Sequence, residues 1–203
     1  MRLTFVTTNA GKVAEMTLLL APIGVEVVQD ARGYPELQAS TLDQVTEAGA
    51  DHLLASGVRP PFILEDSGLF VAALRGFPGV YSRHALDTIG VPGLLRLMAG
   101  IAPKDRVASF NADILLVERD EAGLHRRHFA GACRGFVATA AAGGGGFGFD
   151  PVFRPLVPPG SQGDGRTFAE VPPTVKAALS HRGVAARALA AYLAASRNQT
   201  AKP

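Results

Sequence analysis

Residues 3–20 read LTFVTTNAGKVAEMTLLL, and this stretch decides the class of the fold. An apolar run at residues 3–7 predicts a short buried strand, which a polar turn at residues 8–11 ends. From residue 12 to residue 20, apolar side chains recur at the three- and four-residue intervals of one helical face. A buried strand followed directly by an amphipathic helix is typical of α/β proteins.

The rest of the chain continues this alternation of strands and helices. We predict helices at residues 42–55, at 91–98 and from Ser180 onward, and strands at 25–28, 62–64, 107–117 and 124–133. Apolar residues occupy every second position of 107–117, as a half-buried strand requires. We therefore predict an α/β fold with a mixed sheet in one domain over residues 1–203, of which the polar tail 196–203 is expected to fray.

The composition limits the class of protein. A chain of 203 residues with 47% hydrophobic residues can bury a sizeable core and is not a disordered segment. Its single cysteine excludes a disulfide scaffold and a cysteine-based zinc site. The net charge of +2 argues against nucleic acid as a partner. Because no apolar run could span a membrane or serve as a secretory signal, we expect a cytoplasmic protein without a membrane partner.

The first candidate for chemistry is the turn formed by Thr7, Thr8, Asn9, Ala10, Gly11 and Lys12. Backbone N–H groups at a helix start are expected to be unpaired, and the helix dipole favours an anion there. Lys12 adds a positive charge, so we interpret the turn as a phosphate site. It lacks the leading glycine of a Walker A loop, and an ordinary strand-to-helix turn is the alternative.

The second candidate is Glu65-Asp66-Ser67-Gly68, which follows the apolar strand at 62–64. Adjacent carboxylates at a strand end are costly unless water or a cation compensates them, and Mg²⁺ suits hard oxygen ligands beside phosphates. Consecutive strand residues point to opposite faces, so we expect only one of the two carboxylates to reach a given metal directly. Glu36, in a polar loop, is a further candidate ligand. A solvated turn at Asp66-Ser67-Gly68 is the alternative.

The third candidate is the glycine-rich segment from Gly143 to Asp150, which contains the spacing G-x-G-x-x-G. Prolines follow it where a Rossmann site requires a helix, so a dinucleotide site of that type is excluded. Phe147 and Phe149 flank Gly148, which suggests a backbone close to a flat ligand and a ring that stacks on a base. Asp150 can accept a hydrogen bond from that base. A flexible glycine-rich loop is the alternative.

Basic residues near the last helix form the fourth candidate. Lys176 and Ser180-His181-Arg182-Gly183 flank a helix start, which favours an anion. Arg83, beside the turn-rich loop 76–81, is a further candidate for an anion. The alternative is a capped helix with solvated basic residues.

His125, His128 and Cys133 are not expected to carry chemistry. The two histidines lie three residues apart on a predicted strand, so they point to opposite faces and make a poor metal pair. Nothing near Cys133 would activate its thiol, and we interpret it as a small core residue.

In this order, these segments resemble the inosine triphosphate pyrophosphatase family, which hydrolyses non-standard purine nucleoside triphosphates. The matching stretches span nearly the whole chain and are residues 7–12, 65–69, 76–81, 148–153, 167–170 and 180–183. Each stretch alone is weak, but the six together are specific. The resemblance implies an elongated two-lobed fold around a long mixed sheet with a central substrate cleft, a homodimer, and Mg²⁺ as the cofactor with Mn²⁺ as a substitute.

The resemblance also implies roles for individual residues. Asp66 is similar to the family's general base and metal-site acid, and Glu36 matches its magnesium ligand, with Glu65 nearby. The remaining matches are substrate-binding residues, namely Thr7 to Lys12, Ser67, Arg83, Phe147, Gly148, Phe149, Asp150, Lys176, His181 and Arg182. The implied reaction cleaves a nucleoside triphosphate between its α and β phosphates and yields the monophosphate and pyrophosphate.

Two stretches depart from the family's pattern. Where the family often carries Glu-Asn-Ala and then Lys in the second helix, this chain has Gln44-Val45-Thr46 and Gly49. Its Tyr81-Ser82-Arg83-His84 replaces the common bacterial Tyr-Ser-Ala-Arg. These departures keep two alternatives open: a pyrophosphatase for another modified nucleotide, such as a modified pyrimidine, and a non-catalytic nucleotide-binding protein.

The leading hypothesis is a Mg²⁺-dependent pyrophosphatase that removes dITP, ITP and XTP from the nucleotide pool. Selectivity for a 6-oxo purine would follow from donors such as His181 and Arg182, or backbone N–H groups, aimed at the O6 position. An adenine amino group there would leave the donors unpaired, at a cost of about 1–3 kcal/mol per group.

Overall fold

The computed structural model describes residues 1–35 and 37–200, and for residues 197–200 only the backbone. Over that part of the chain the elements are β1 (Arg2–Val6), α1 (Ala10–Leu20), β2 (Glu26–Asp30), α2 (Leu42–Ala55), β3 (Phe62–Val71), α3 (Ser82–Thr88), α4 (Gly90–Leu97), β4 (Val107–Asp120), β5 (Gly123–Val137), β6 (Phe153–Pro155), α5 (Pro173–Leu179) and α6 (His181–Thr200). The helices predicted at residues 12–20 and 42–55 are confirmed, the second with the same bounds.

The described strands form one mixed sheet in the order β2-β1-β3-β4-β5-β6. β1 runs parallel to β2 and to β3, with Phe5 opposite Ile63 in the second pair, whereas β5 and β6 are antiparallel. Glu121 and Ala122 alone connect β4 to β5, and so short a connection requires antiparallel strands. The predicted α/β class with a mixed sheet is therefore confirmed.

Contacts between residues divide the chain into two compact units. Unit 1 comprises Met1–Asp66, Ala112–Gly131 and the chain from Arg182 onward. Unit 2 comprises Ser67–Asn111 and Ala132–His181. The long strands β3, β4 and β5 contribute residues to both units. The elongated shape and the central cleft stay predictions.

The core of unit 1 has two layers, one on each face of the sheet, because neighbouring residues of each strand point to opposite faces. One layer contains Leu3, Phe5, Met16, Leu20, Ile63, Ile114, Leu116, Ala185 and Leu189. The other contains Val6, Ala50, Leu53, Phe62, Leu64, Leu115 and Val117. Neighbouring strand residues thus enter opposite layers, and the sheet is covered by α1 and α6 on one face and by α2 on the other. Burial on both faces explains the uninterrupted apolar run at residues 62–64.

The core of unit 2 is built around aromatic rings. The ring centroid of Phe110 lies 4.7 Å from that of Phe153 and 6.3 Å from that of Phe168. Arg106 is buried in the same unit, where its guanidinium donates to the backbone carbonyls of Met98, Val137 and Ala138 at 2.7–2.8 Å. These bonds satisfy a charged group that would otherwise be costly to bury.

β3 is longer than the sequence predicts. The predicted strand at 62–64 continues through Glu65-Asp66-Ser67-Gly68 and ends only at Val71. A Cβ at Gly68 would collide with the carbonyl oxygen of Gly79, so glycine serves a close approach between two backbones. The alternative of a solvated turn at Asp66-Ser67-Gly68 is therefore wrong.

The sequence analysis does not predict the short helices α3 and α5, and α5 changes the start of the last helix. Ser180 ends α5, where its N–H donates to the carbonyl of Lys176 at 2.8 Å, and α6 begins one residue later. α6 continues to Thr200, beyond the predicted start of the frayed tail, while residues 201–203 lie outside the described part. None of the helices in the described ranges is long and apolar enough to cross a membrane.

Candidate active site

The turn between β1 and α1, in unit 1, is held by hydrogen bonds from its own side chains. Asn9 caps α1, because its Oδ1 accepts the N–H groups of Gly11 and Lys12 at 2.9 and 3.2 Å. Thr7 Oγ1 in turn accepts the N–H of Asn9 at 3.1 Å. The expectation of unpaired N–H groups at this helix start is therefore wrong for Gly11 and Lys12. Thr8 and Ala10 are exposed at the same turn.

Glu65 on β3 is the centre of a charged cluster in unit 1. Its side chain is fully buried, and its two carboxylate oxygens pair with different cations. Oε2 lies 2.8 Å from Nζ of Lys12, and Oε1 accepts a hydrogen bond from Nη2 of Arg182 at 3.0 Å. Nζ of Lys12 also donates to the backbone carbonyl of Glu65 at 3.0 Å. One carboxylate thus binds a cation from the first turn of α1 and another from the first turn of α6.

Arg182 completes this cluster through a second carboxylate, Glu15 on α1. Nη1 of Arg182 donates to Oε2 of Glu15 at 2.5 Å, and the arginine side chain is only 1% exposed. Burial by itself would lower the pKa of Arg182, but the charges of Glu65 and Glu15 more than offset it and hold the pKa above its usual value. The guanidinium is therefore charged at every pH at which the protein folds.

The sequence analysis does not identify Glu15. Its spacing is the available signal, because Glu15 follows Lys12 by three residues and so lies on the same face of α1. Nothing in the sequence indicates that α6 returns to this face. We call Lys12, Glu15, Glu65 and Arg182 the ionic cluster.

Asp66 follows Glu65 on the strand and is half-buried, where Glu65 is buried. This difference is the alternation expected of neighbouring strand residues. Ser67, the next residue, is also half-buried and belongs to unit 2. Glu36, the third predicted metal ligand, lies outside the described residues.

The described acids fit a Mg²⁺ ion that substrate phosphates and waters help to bind better than a metal ion that only protein side chains bind. Among the described residues, no group of three or more His, Cys, Asp or Glu side chains could hold a metal ion. Mg²⁺ does not require such a group, because it is commonly bound through one or two carboxylates together with substrate phosphates and waters. The partly exposed carboxylate of Asp66 is a hard oxygen ligand of that kind. Both oxygens of Glu65 are already paired with cations, which suits a metal ligand less well.

The second group of predicted residues lies in unit 2, around Asp150. Oδ2 of Asp150 accepts the N–H of Phe147 at 2.7 Å and pairs with Nζ of Lys176 at 2.5 Å. The same Nζ lies 4.4 Å from the ring centroid of Phe147, a cation–π contact. Gly146 has φ of +69°, and a Cβ there would collide with Asp150. The glycine-rich segment therefore closes tightly around one buried carboxylate, and a flexible loop does not describe it.

Phe149 and His181 both pack inside unit 2. Phe149 belongs to the aromatic core, so only its backbone is placed to contact a ligand. The His181 ring stacks on Phe110, with centroids 4.7 Å apart and an angle of 12° between the planes. Gly148, which precedes Phe149, has φ of +65°, a conformation that favours glycine.

Arg83 lies on the exposed side of α3, where its Nε donates to Asp87 at 2.7 Å. Its neighbour Ser82 is buried and accepts the N–H of Leu69 at 2.8 Å while its own hydroxyl donates to the carbonyl of Gly79. Ser82 therefore joins α3 to β3, a role that sequence reasoning does not assign. The substrate-binding role of Arg83 stays a prediction.

Gly49, which departs from the family's pattern, has a packing reason in the structure. A Cβ at this position would lie 2.7 Å from Leu64 Cδ1 and 2.8 Å from Tyr34 Cε2, both closer than real side chains allow. The ring of Tyr34 thus fills the space that any side chain at residue 49 would need. Where the family often carries a lysine, this chain therefore has a glycine against which the ring of Tyr34 packs.

The residues that the sequence analysis discounts behave as expected. His125 pairs with Asp120, whereas His128 lies between Asp113 and Glu47, so the two histidines share no ligand. Cys133 is buried in the core of unit 2, and burial raises the pKa of its thiol to about 11. The prediction that Cys133 is a small core residue is therefore confirmed.

The structure thus brings the predicted residues together in two groups, each inside one unit. Lys12, Glu65 and Arg182 meet in unit 1, and Phe147, Asp150 and Lys176 meet in unit 2. In unit 1, Lys12 and Arg182 lie at helix starts beside the strand carboxylate of Glu65, and cations at helix starts are typical of phosphate sites in α/β proteins. The roles of the individual side chains toward that ligand stay predictions.

The chain belongs to the Ham1 family, whose model matches residues 3–192. A dITP/XTP pyrophosphatase of Thermococcus kodakarensis is 48% identical over 95% of this chain and 97% of its own length. A protein of the same name from Pyrococcus horikoshii is 42% identical over the same shares of both chains.

Solved structures agree with the family assignment. A HAM1 protein from Coxiella burnetii superposes with a TM-score of 0.77 at 30% identity, over 95% of this chain and 98% of that one. A nucleoside-triphosphatase, also titled dITP/XTP pyrophosphatase, from Mycobacterium abscessus gives a TM-score of 0.64 at 33% identity, over 95% and 99% of the two chains.

Proposed function

We propose that this protein hydrolyses the non-standard purine nucleotides dITP, ITP and XTP to the nucleoside monophosphate and pyrophosphate, and so cleans the nucleotide pool. The observation that carries the proposal is the 48% identity, over 95% of the chain, to a relative named dITP/XTP pyrophosphatase. The ionic cluster supports the proposal, because a triphosphate substrate needs cations that bind its phosphates close to a carboxylate that orients the attacking water.

In this proposal the cations of unit 1 bind the phosphates. Lys12 is 16% exposed at the start of α1, so its ammonium can contact a phosphate while it stays paired with the carboxylate and the backbone carbonyl of Glu65. Mg²⁺, when bound, neutralises phosphate charge and favours attack by water. Asp66, with Glu36, holds the ion in this proposal.

Asp66 has the second role of general base. Its carboxylate takes a proton from the attacking water, whose oxygen forms a new bond to phosphorus as the bond to the bridging oxygen between the α and β phosphates breaks. Pyrophosphate leaves with the electron pair of the broken bond. The partial exposure of Asp66, next to fully buried Glu65, gives water access to this carboxylate.

Recognition of the base is assigned to unit 2. Lys176, Asp150 and Phe147 form a compact set of an ammonium, a carboxylate and a ring face, which suits a planar purine with polar edges. Donors at the start of α6, such as His181, would select a 6-oxo group, because an adenine amino group would leave them unpaired.

The test is a substrate panel in Mg²⁺. The protein is incubated with dITP, ITP, XTP, dATP, dGTP and a modified pyrimidine triphosphate, and kcat/KM is measured from pyrophosphate release. We expect the three 6-oxo non-standard nucleotides to exceed dATP by about 10²-fold or more. A higher value for the pyrimidine, or binding of ITP without turnover, would replace the proposal by one of its alternatives.

The cofactor and the assembly rest on the resemblance to the inosine triphosphate pyrophosphatase family. We propose Mg²⁺ as the cofactor, a homodimer and a cytoplasmic location. Measurement of activity while metal is added to chelator-treated protein tests the cofactor. Light scattering after gel filtration tests the homodimer, and a mass of one chain would contradict it.

A further inference from the structure

We infer that Glu65 is a positioning residue, which holds Lys12 and Arg182 at a fixed separation, and that it is not a metal ligand. The inference rests on the proposed function, because Lys12 and Arg182 matter only if they meet the nucleotide. It assigns Glu65 a different role from that of the neighbouring Asp66, although the two carboxylates are adjacent in the sequence.

The geometry of Glu65 carries the inference. Each carboxylate oxygen is paired with its own cation, Lys12 at 2.8 Å and Arg182 at 3.0 Å, and the side chain is 0% exposed. A Mg²⁺ ligand needs an oxygen directed at the ion, and an ion there would lie beside two positive side chains. Like charges so close disfavour the ion, whereas the two existing pairs compensate the charge of the buried carboxylate.

Among the described residues, Glu65 pairs with both cations, so it couples two helices. Lys12 belongs to the first turn of α1, and Arg182 to the first turn of α6. Glu15 pairs with Arg182, and in the described contacts it does not reach Lys12. Loss of the Glu65 charge should therefore disturb both cations, whereas loss of the Glu15 charge should leave Lys12 in place.

The test compares Glu65→Gln with Glu15→Gln as the matched control. Both substitutions keep the side-chain shape, and each removes one of the two negative charges that pair with Arg182. We expect Glu65→Gln to raise KM for dITP about tenfold or more, with kcat and the Mg²⁺ concentration for half-activation unchanged within about twofold. A tenfold rise in that Mg²⁺ concentration would identify Glu65 as a metal ligand, and an unchanged or lowered KM would also overturn the inference.

A metal-free measurement separates this inference from the proposed function. Calorimetry in excess chelator follows the binding of inorganic pyrophosphate, which needs no turnover. We expect Glu65→Gln to weaken this binding several-fold and Glu15→Gln to weaken it less, because only Glu65 holds Lys12. Equal or stronger binding by Glu65→Gln overturns the inference. Failure of the wild-type protein to hydrolyse dITP would instead overturn the proposed function.

A double-mutant cycle tests whether Glu65 acts through its partner Lys12. Lys12→Met removes the cation, and the cycle with Glu65→Gln uses pyrophosphate binding as its readout. Because Glu65 also holds Arg182, the double variant should bind pyrophosphate somewhat more weakly than Lys12→Met, but the loss should be smaller than the product of the two single losses. A loss equal to that product would overturn the inference. Should Glu65→Gln fail to fold, Glu65→Asp, which keeps the charge but shortens the reach, replaces it in both measurements.

Discussion

Unit 1 and unit 2 both bury a cation, but they compensate its charge in different ways. In unit 1, Arg182 lies between the carboxylates of Glu15 and Glu65. In unit 2, Lys176 pairs with the single carboxylate of Asp150 and lies over the ring of Phe147. The two cations are separated by only six positions in the sequence, so local sequence does not set the environment of either.

The difference shows two ways in which one chain stabilises a buried cation. In unit 1 carboxylates compensate the charge, whereas in unit 2 an aromatic face contributes part of the compensation. The contrast also predicts different costs of substitution, because an arginine between two buried carboxylates leaves more uncompensated charge when it is removed.

The largest expected effect is on catalysis, and it tests whether the reacting acid lies in unit 1. We expect Asp66→Asn to lower kcat for dITP by about 10²–10⁴-fold, because the amide cannot accept the proton of the water. Steady-state pyrophosphate release measures this. Asp120→Asn, at the exposed turn after β4, is the control. Unimpaired turnover of Asp66→Asn would contradict the assigned role.

The next effect compares the two buried cations directly. We expect Arg182→Met to lower the free energy of unfolding by about 3–5 kcal/mol and Lys176→Met by about 1–3 kcal/mol. Methionine keeps the apolar contacts of either stem, so the comparison isolates the charge. Urea unfolding measures both, with exposed Arg83→Met as a control that should change little. Equal losses would remove the contrast between the units.

A smaller effect tests the packing of Gly49 in unit 1. Gly49→Ala gains about 1 kcal/mol of helix propensity, but the added Cβ would meet Tyr34 and Leu64 below 3.0 Å. Overpacking of this kind costs about 1–3 kcal/mol, so we expect a net loss of stability. Gly33→Ala, whose Cβ would meet nothing within 4 Å, is the matched control. A stabilised Gly49→Ala would show that Tyr34 does not need this space.

The smallest effect is a pH dependence of stability that arises in unit 1. Burial by itself lowers the pKa of His128, but hydrogen bonds to Asp113 and Glu47 outweigh it and hold the pKa above its usual 6.5. Since the folded pKa exceeds the unfolded one, this stabilisation is complete below about pH 6.5 and is lost as the pH rises through the folded pKa.

Because about a third of the His128 side chain is exposed, the change should stay below ~1 kcal/mol. Urea unfolding of the wild-type protein between pH 5.5 and 8.5 measures it, and His128→Gln should remove it. His125→Gln, at an exposed pair, is the comparison variant. A His128-dependent gain of stability with rising pH would reverse the predicted sign.

The sequence predicts the helices and strands better than their contacts. The strand at 107–117 and the helix at 42–55 are correct because their periodicity is local, but residues 112–117 are all buried and do not alternate as predicted. β3 is predicted too short, because Asp-Ser-Gly is typical of turns and its glycine instead serves a close approach to Gly79. Such a contact between distant parts of the chain leaves no local pattern.

In the candidate site as well, the sequence predicts which residue types take part better than it predicts their contacts. Sequence reasoning identifies Lys12, Glu65 and Arg182 from their chemistry and their places beside helix starts and a strand. It misses Glu15, because the contact with Arg182 joins residues 167 positions apart. It also assigns Phe149 a stacking ring, whereas the apolar core of unit 2 contains that ring.

The central claim is that this chain releases pyrophosphate from a 6-oxo purine nucleoside triphosphate. Phosphorus NMR of dITP with the protein and Mg²⁺ measures it most directly, because the spectrum separates the monophosphate, pyrophosphate and orthophosphate. We predict dIMP and pyrophosphate in equal amounts from the first turnovers, and their loss in Asp66→Asn. Orthophosphate with dIDP as the first products, or equal turnover by Asp66→Asn, would contradict the account.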